Sequence, residues 1–158
     1  MLTLPSHNIA VAVLQPQIAP NTGNIARLCV ASGAQLHLVR PMGFVLSDKQ
    51  LRRSAMDYWP RLKLTLHDTT DSFLEFMRHR RLWFFDSSGK KSVWEAKFCD
   101  GDVLVFGSET KGVASSILEL SPLQTVRLPQ VNGERCLNLA TAAGIALYEA
   151  LRQAHVPD

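Results

Sequence analysis

Short apolar runs alternate with amphipathic stretches along the whole chain. Residues 8–14, "NIAVAVL", are apolar without a break after the first, as in a strand buried on both faces. Over residues 21–32 the apolar spacing is helical: Ile25, Leu28, Cys29 and Ser32 fall on one face, and Asn21, directly after Pro20, is the expected N-cap. A strand is predicted at Gln35–Val39, ending at Arg40-Pro41, and Ser47 is placed to cap a short helix carrying Arg52 and Arg53. Further on, the pattern predicts a strand at 62–66, a helix at 71–78, a strand at Leu82–Phe85 and a strand at Val103–Phe106 running straight into Gly107. A short helix at 115–120 stops at Ser121-Pro122. The last strand is expected at 125–128 and the last helix at 136–154. Strands alternating with helices predict a single α/β domain over residues 1–158, with a mainly parallel sheet flanked by helices.

Composition narrows the class. The 158 residues are 46% hydrophobic and 20% charged, enough for one domain with a sizeable core. No apolar run approaches the ~20 residues that span a bilayer, and the first residues lack a basic leader, so no signal peptide or membrane is expected. Cys29, Cys99 and Cys136 are an odd set without metal-ligand spacing. A reduced, cytoplasmic protein without a metal is the expectation. The net charge of +3 permits a polyanionic partner without demanding one.

In parallel α/β sheets, ligands bind beyond the carboxyl ends of the strands. Three such ends carry turn formers and polar groups: those after Phe85, after Phe106 and after Leu128. In "PNTGNIARL", residues 20–28, Asn24 and Arg27 share a helix face other than that of Ile25 and Leu28. This reads as a solvated face or as a polar wall, since a guanidinium fork matches phosphate oxygens. "VLVFGSETKG", residues 103–112, sends an apolar strand into Gly107, where the backbone can approach a ligand closely; Glu109 is then a candidate group or an exposed turn residue. The closing stretch sets Arg135, Cys136 and Asn138 at the mouth of a helix rich in Ala and Gly. A helix N-terminus lowers a thiol pKa, yet no histidine is tied to Cys136 by motif, and a packed cysteine is the commoner outcome. Neither GxGxxG nor GxxxxGK[ST] occurs, so a dinucleotide site and a small nucleotide hydrolase are poorly supported.

Taken together, the Asn-to-Arg helix, the strand ending in Gly-x-Glu and the strand–Pro–loop–Arg-x-Leu-Asn helix resemble the three motifs of the SPOUT superfamily of RNA methyltransferases. Within it, the chain is most similar to the bacterial tRNA (cytidine/uridine-2'-O)-methyltransferases of the wobble position. "NIAVAVLQPQIAPNTGNIARLCVASGAQLHLVRPMGF", "DKQLRRSAMDYW" and "LNLATAAGIALYEALRQ" carry the resemblance. It implies a C-terminal deep trefoil knot holding S-adenosylmethionine, a homodimer through the C-terminal helix, and the tRNA anticodon stem-loop as substrate. Residue by residue, it implies Arg27, Asn21, Glu109 and Asn138 as the catalytic group, with Asn21 supporting Arg27. It implies Phe85, Gly107, Leu128 and Cys136 around the cofactor. It implies Arg52 and Arg53 as a basic pair toward the tRNA and Tyr148 as a tyrosine on the dimer helix; Lys111 and Arg135, with Arg61, are read from their basic side chains as further phosphate contacts to the substrate. The chain departs from the pattern in Cys136 for a usual serine, Ala140-Thr141 for a Ser-Asn pair, and Gln130 and Ser108 for a methionine and a proline. A thiol hydrogen-bonds more weakly than a hydroxyl. Alternatives are the same chemistry at another tRNA or rRNA site, or an RNA-binding module without turnover.

Overall fold

The structure, a computed structural model, describes residues 2–47 and 57–156; the expected helix bearing Arg52 and Arg53 lies outside them. The elements are β1 (Ala10–Leu14), α1 (Ala19–Ser32), β2 (Gln35–Val39), β3 (Leu64–His67), α2 (Thr70–Phe76), β4 (Leu82–Phe85), β5 (Lys91–Ser92), β6 (Val103–Phe106), α3 (Ser115–Leu118), β7 (Thr125–Arg127) and α4 (Leu139–His155). The strands form one sheet in the order β3-β2-β1-β6-β4-β7-β5, and every pairing in it is parallel. The α/β fold class and the parallel sheet agree with the hydrophobic pattern.

Both faces of the sheet are covered, which is why its central strands are apolar without alternation. Val11, Val13, Leu36, Leu38 and Leu104 point to one side, where Ile25 and Cys29 of α1 and Ala143, Ala146 and Leu147 of α4 complete the core. On the other side Ala12, Phe84 and Val105 meet Phe73 of α2 and Met77 just beyond it. The small residues of α4 are thus explained within the chain: Ala143, Ala146 and Ala150 are fully buried where this helix packs on α1 and β6. Gly144 is different, since a Cβ there would meet nothing within 4 Å.

Several element ends move from their expected places. α1 begins at Ala19 with Ile18 as N-cap, not Asn21, and the Ile18 side chain caps nothing. Pro20 fits the first turn, where no N–H is needed. At the other end Gly33 (φ 82°) closes α1 by donating its N–H to the Cys29 carbonyl. α4 begins at Leu139, capped by Asn138, so Arg135 and Cys136 lie in the preceding coil. β3 is shifted to Leu64–His67, and α2 starts after a reciprocal Thr69–Ser72 capping box. The two-residue strand β5 was not expected; "KS" is too short and polar to give a period.

The registers bring three strand ends to one level. Phe85 pairs with Phe106 and also with Val126. Lys91 pairs with Val126 from the other side, so β7 lies between β4 and β5. The connection from β4 to β5 therefore crosses β7. Gly89 makes the crossing: a Cβ there would stand 2.7 Å from the Val126 carbonyl carbon.

Candidate active site at the carboxyl ends of the strands

Gln15, directly after β1, adopts φ 54°, a left-handed backbone uncommon for a side-chain-bearing residue. This turn folds the next residues across the sheet end toward the loop that follows β6. There the Glu109 carboxylate accepts hydrogen bonds from the backbone N–H of Gln17 (2.8 Å) and of Ile18 (3.2 Å). These are the groups at the entry of α1, which has no acidic residue in its first turn. Glu109 thus supplies from 91 residues away the negative charge that favours a helix N-terminus.

Asn21 joins the same carboxylate from inside the helix. Its Nδ2 donates to Glu109 Oε1 at 3.3 Å, while its Oδ1 accepts from Asn138 Nδ2 at 2.9 Å. Asn138 in turn uses Oδ1 to accept from the N–H of Ala140 and Thr141, which caps α4. The result is a continuous chain, Glu109–Asn21–Asn138, joining the segments after β1, β6 and β7. Asn21 is only 7% exposed. Its burial and its two partners make it the centre of the chain rather than a cap.

Arg27 is exposed two turns further along α1, with its guanidinium carbon 5.7 Å from the centre of the Tyr58 ring. That is a cation–π distance. The side-chain bonds of Asn21 given by the structure go to Glu109 and Asn138, and the ring beside Arg27 is that of Tyr58. Sequence reasoning gave Tyr58 no role; its only local signal is an aromatic close to the basic pair at 52–53.

The loops after β4 and β6 are tied by a second residue that the sequence reading passed over. Asp86 accepts from the N–H and hydroxyl of Ser88 through Oδ1 and from the Val113 N–H through Oδ2. Gly107 faces the same loop across bare backbone: a Cβ there would lie 2.0 Å from the Gly112 carbonyl carbon. Gly112 itself has φ 64°, and a Cβ on it would sit 2.8 Å from Asp86 Oδ2. The turn is therefore closed by glycine at both ends.

Phe85 and Gly107 are buried, and Leu128 is half-buried beyond β7. These three residues stand side by side at the sheet end, as adjacent strands β6-β4-β7 require. Such an edge is apolar and rich in backbone groups, the lining typical of a small-molecule site. Cys136 is exposed in the coil before α4, as is Arg135, whose carbonyl accepts from Gln130 Nε2. Lys111 is exposed on the Ser108–Gly112 turn. The one fully buried thiol, Cys29, is pushed up to about 12 by burial and is inert. Among the described residues, no cluster of His, Cys, Asp and Glu could hold a metal ion, and no helix is long and apolar enough to cross a membrane.

Known proteins share this architecture. Two curated relatives are named tRNA (cytidine(34)-2'-O)-methyltransferase. The one from Saccharophagus degradans is 41% identical over 90% of this chain and 94% of its own length. The one from Escherichia coli K12 is 40% identical over 93% and 94%. A solved structure described as giving insights into the 2-OH methylation of C/U34 on tRNA superimposes with a TM-score of 0.89 at 44% identity, over 93% of this chain and 96% of that one. The SpoU methyltransferase AviRb from Streptomyces viridochromogenes, solved in complex with AdoMet, gives a TM-score of 0.84 at 25% identity, over 95% of this chain and 60% of that one. Residues 8–148 match the SpoU rRNA Methylase family, and so the chain belongs to that family of the SPOUT superfamily.

Proposed function

We propose that this chain transfers a methyl group from S-adenosylmethionine to the ribose 2'-oxygen of the wobble nucleotide of tRNA, a cytidine or a modified uridine. The observation that carries the reading is the Glu109–Asn21–Asn138 chain. It locks the segments after β1, β6 and β7 into one frame beside the apolar edge of Phe85, Gly107 and Leu128. The named relatives, matched over nine-tenths of the chain, support the same reaction.

S-adenosylmethionine supplies an activated methyl group on a positive sulfur, so the chemistry calls for no metal. The chain's own task is alignment and proton removal. Phe85, Gly107, Leu128 and the Cys136 position would hold the cofactor, largely through backbone. A thiol at 136 leaves such main-chain contacts intact. Glu109, Asn21 and Asn138 are joined in one hydrogen-bonded chain through Asn21, so we assign them to positioning. Arg27, exposed and free to meet a phosphate, orients the 2'-oxygen and stabilises its anion as the proton departs to solvent. Arg52, Arg53, Lys111 and Arg135 are proposed to contact RNA phosphates, which set register and carry no sequence information directly.

We further propose a cytoplasmic homodimer. The outer face of α4 presents Thr141, Ile145 and Tyr148, with Ile145 45% and Tyr148 49% exposed. Apolar residues at that spacing form a stripe suited to a second subunit. We also read the passage of β7 beneath the 86–90 segment as a crossing of a trefoil knot.

The test is methylation of tRNA from a strain lacking wobble 2'-O-methylation, followed by digestion and mass spectrometry. A 2'-O-methylated pyrimidine at the wobble position is expected. Cofactor binding with no methyl group gained by any tRNA would overturn the reading.

A further inference from the structure

Beyond β5, residues 92–96 form a turn that is fixed more firmly than its length requires. Ser92 Oγ accepts from the Trp94 N–H, and the Glu95 carboxylate accepts from the Ser92 N–H. The backbone closes twice more, from Glu95 N–H to the Ser92 carbonyl and from Ala96 N–H to the Val93 carbonyl. Val93 and Ala96 are anchored in the core at 1% and 0% exposure. Between these anchors, Trp94 is 72% exposed. This bonded turn thus holds one of the chain's three tryptophans out in water, where its burial would otherwise favour folding.

The surroundings are cationic. Residues 90–97 contain Lys90, Lys91 and Lys97 against the single acid Glu95, whose carboxylate is already engaged by Ser92. The turn also stands at the working end of the sheet. β5 is parallel to β7, and the Val93 N–H donates to the Arg127 carbonyl, one residue before Leu128. Trp94 therefore follows β5 at the same carboxyl end of the sheet as the proposed cofactor edge.

A fixed aromatic plane among lysines matches unpaired nucleotides, whose bases stack on aromatic faces while phosphates meet the cations. We propose that Trp94, with Lys90 and Lys91, is a stacking platform for an unpaired base of the RNA substrate. This inference rests on the proposed RNA activity and adds a specific contact to it. Trp94 binds RNA and takes no part in the chemical step.

The experiment measures the affinity of the full-length chain for a synthetic RNA hairpin carrying an anticodon loop, by anisotropy, alongside calorimetric S-adenosylmethionine binding. Trp94→Ala should weaken hairpin binding about tenfold, the order expected for one lost base stack. It should leave cofactor affinity unchanged, and Trp94→Phe should restore most of the loss. Its salt dependence should match the unaltered chain, whereas Lys90→Ala/Lys91→Ala should lower the slope by about two. Unchanged hairpin affinity in Trp94→Ala, or no rescue by phenylalanine, overturns the proposal. Methyl transfer is measured separately: failure of the unaltered chain on every tRNA refutes the activity, while hairpin affinities still decide the role of Trp94.

Discussion

Replacing Asn21 by aspartate probes the polar chain with almost no change in shape. In the native chain, Asn21 Nδ2 donates to Glu109 Oε1 at 3.3 Å. In Asn21→Asp an oxygen takes the donor's place, and two carboxylates face each other at that separation. The other oxygen still accepts from Asn138, so that half of the chain survives. Two like charges 3.3 Å apart repel by roughly 1 kcal/mol in water and about 5 kcal/mol at the effective dielectric of a protein surface. Asn21 is 7% exposed and Glu109 half-buried, so the cost lies between those limits. The pair can escape by sharing a proton, which raises one carboxyl pKa above its unfolded value. The folded variant then binds more protons than the unfolded one, and its stability falls as pH rises. Thermal unfolding of Asn21→Asp should approach that of the unaltered chain near pH 4, and fall below it by about 5–10 °C near pH 8, at roughly 2–4 °C per kcal/mol for this size. A deficit independent of pH, or none at all, would show that Asn21 and Glu109 do not face each other and would refute the clamp.

Other perturbations separate positioning from chemistry. Arg27 is exposed, so Arg27→Ala should shift the melting temperature by no more than about 2 °C, retain cofactor affinity and abolish methyl transfer. Arg27→Lys keeps the charge and loses the planar fork, and activity recovered in it would assign Arg27 to electrostatics alone. Gly107→Ala places a Cβ 2.0 Å from the backbone carbon of Gly112; it should cost roughly 1–3 kcal/mol or more and weaken S-adenosylmethionine binding, both readable by calorimetry. His37 is 2% exposed and stacked on His67, and burial first, then the charges of His67 and Arg80, lower its pKa from 6.5 to about 4. Unfolding releases a site that protonates more readily, so stability should be full above pH 6.5 and decline toward pH 4 by at most about 3 kcal/mol. His37→Leu should flatten that acid limb, and an unchanged limb would assign it to other groups.

The fold was legible where local pattern and tertiary environment agree. β2, β4 and β6 fall where their apolar runs predict, because burial on both faces leaves one reading for a short continuous run. Helix starts were less legible, because capping came from a distance. α1 begins before Asn21 because Glu109 completes its entry across 91 residues, and nothing local announces so distant an acceptor. β5 is held by its pairing to β7 and by the anchored turn after it, not by its own two residues. The motif residues Asn21, Glu109 and Asn138 were legible as a group through family resemblance, but not as each other's partners. Asp86 and Tyr58 were missed because their importance lies in contacts, and an Asp after a strand is also an ordinary turn residue.

The pairing among the motif residues changes what each can do. A carboxylate that accepts three N–H groups has much of its lone-pair capacity occupied. Taking a proton from a ribose hydroxyl would require surrendering bonds that hold the entry of α1. Asn138 is similarly committed, with one side of its amide capping α4 and the other joined to Asn21. A side-chain amide is neither acid nor base near neutral pH, and together the two asparagines connect α1 to α4. The parallel sheet explains why such distant residues meet at all: it places every strand's carboxyl end on one edge, and the shared level of Phe85, Phe106 and Val126 puts their following loops within bonding reach. On the proposed reading, the clamp preserves the geometry of the edge and the exposed Arg27 meets the substrate. The division predicts opposite signatures, with stability sensitive at Asn21 and Glu109 and turnover sensitive at Arg27.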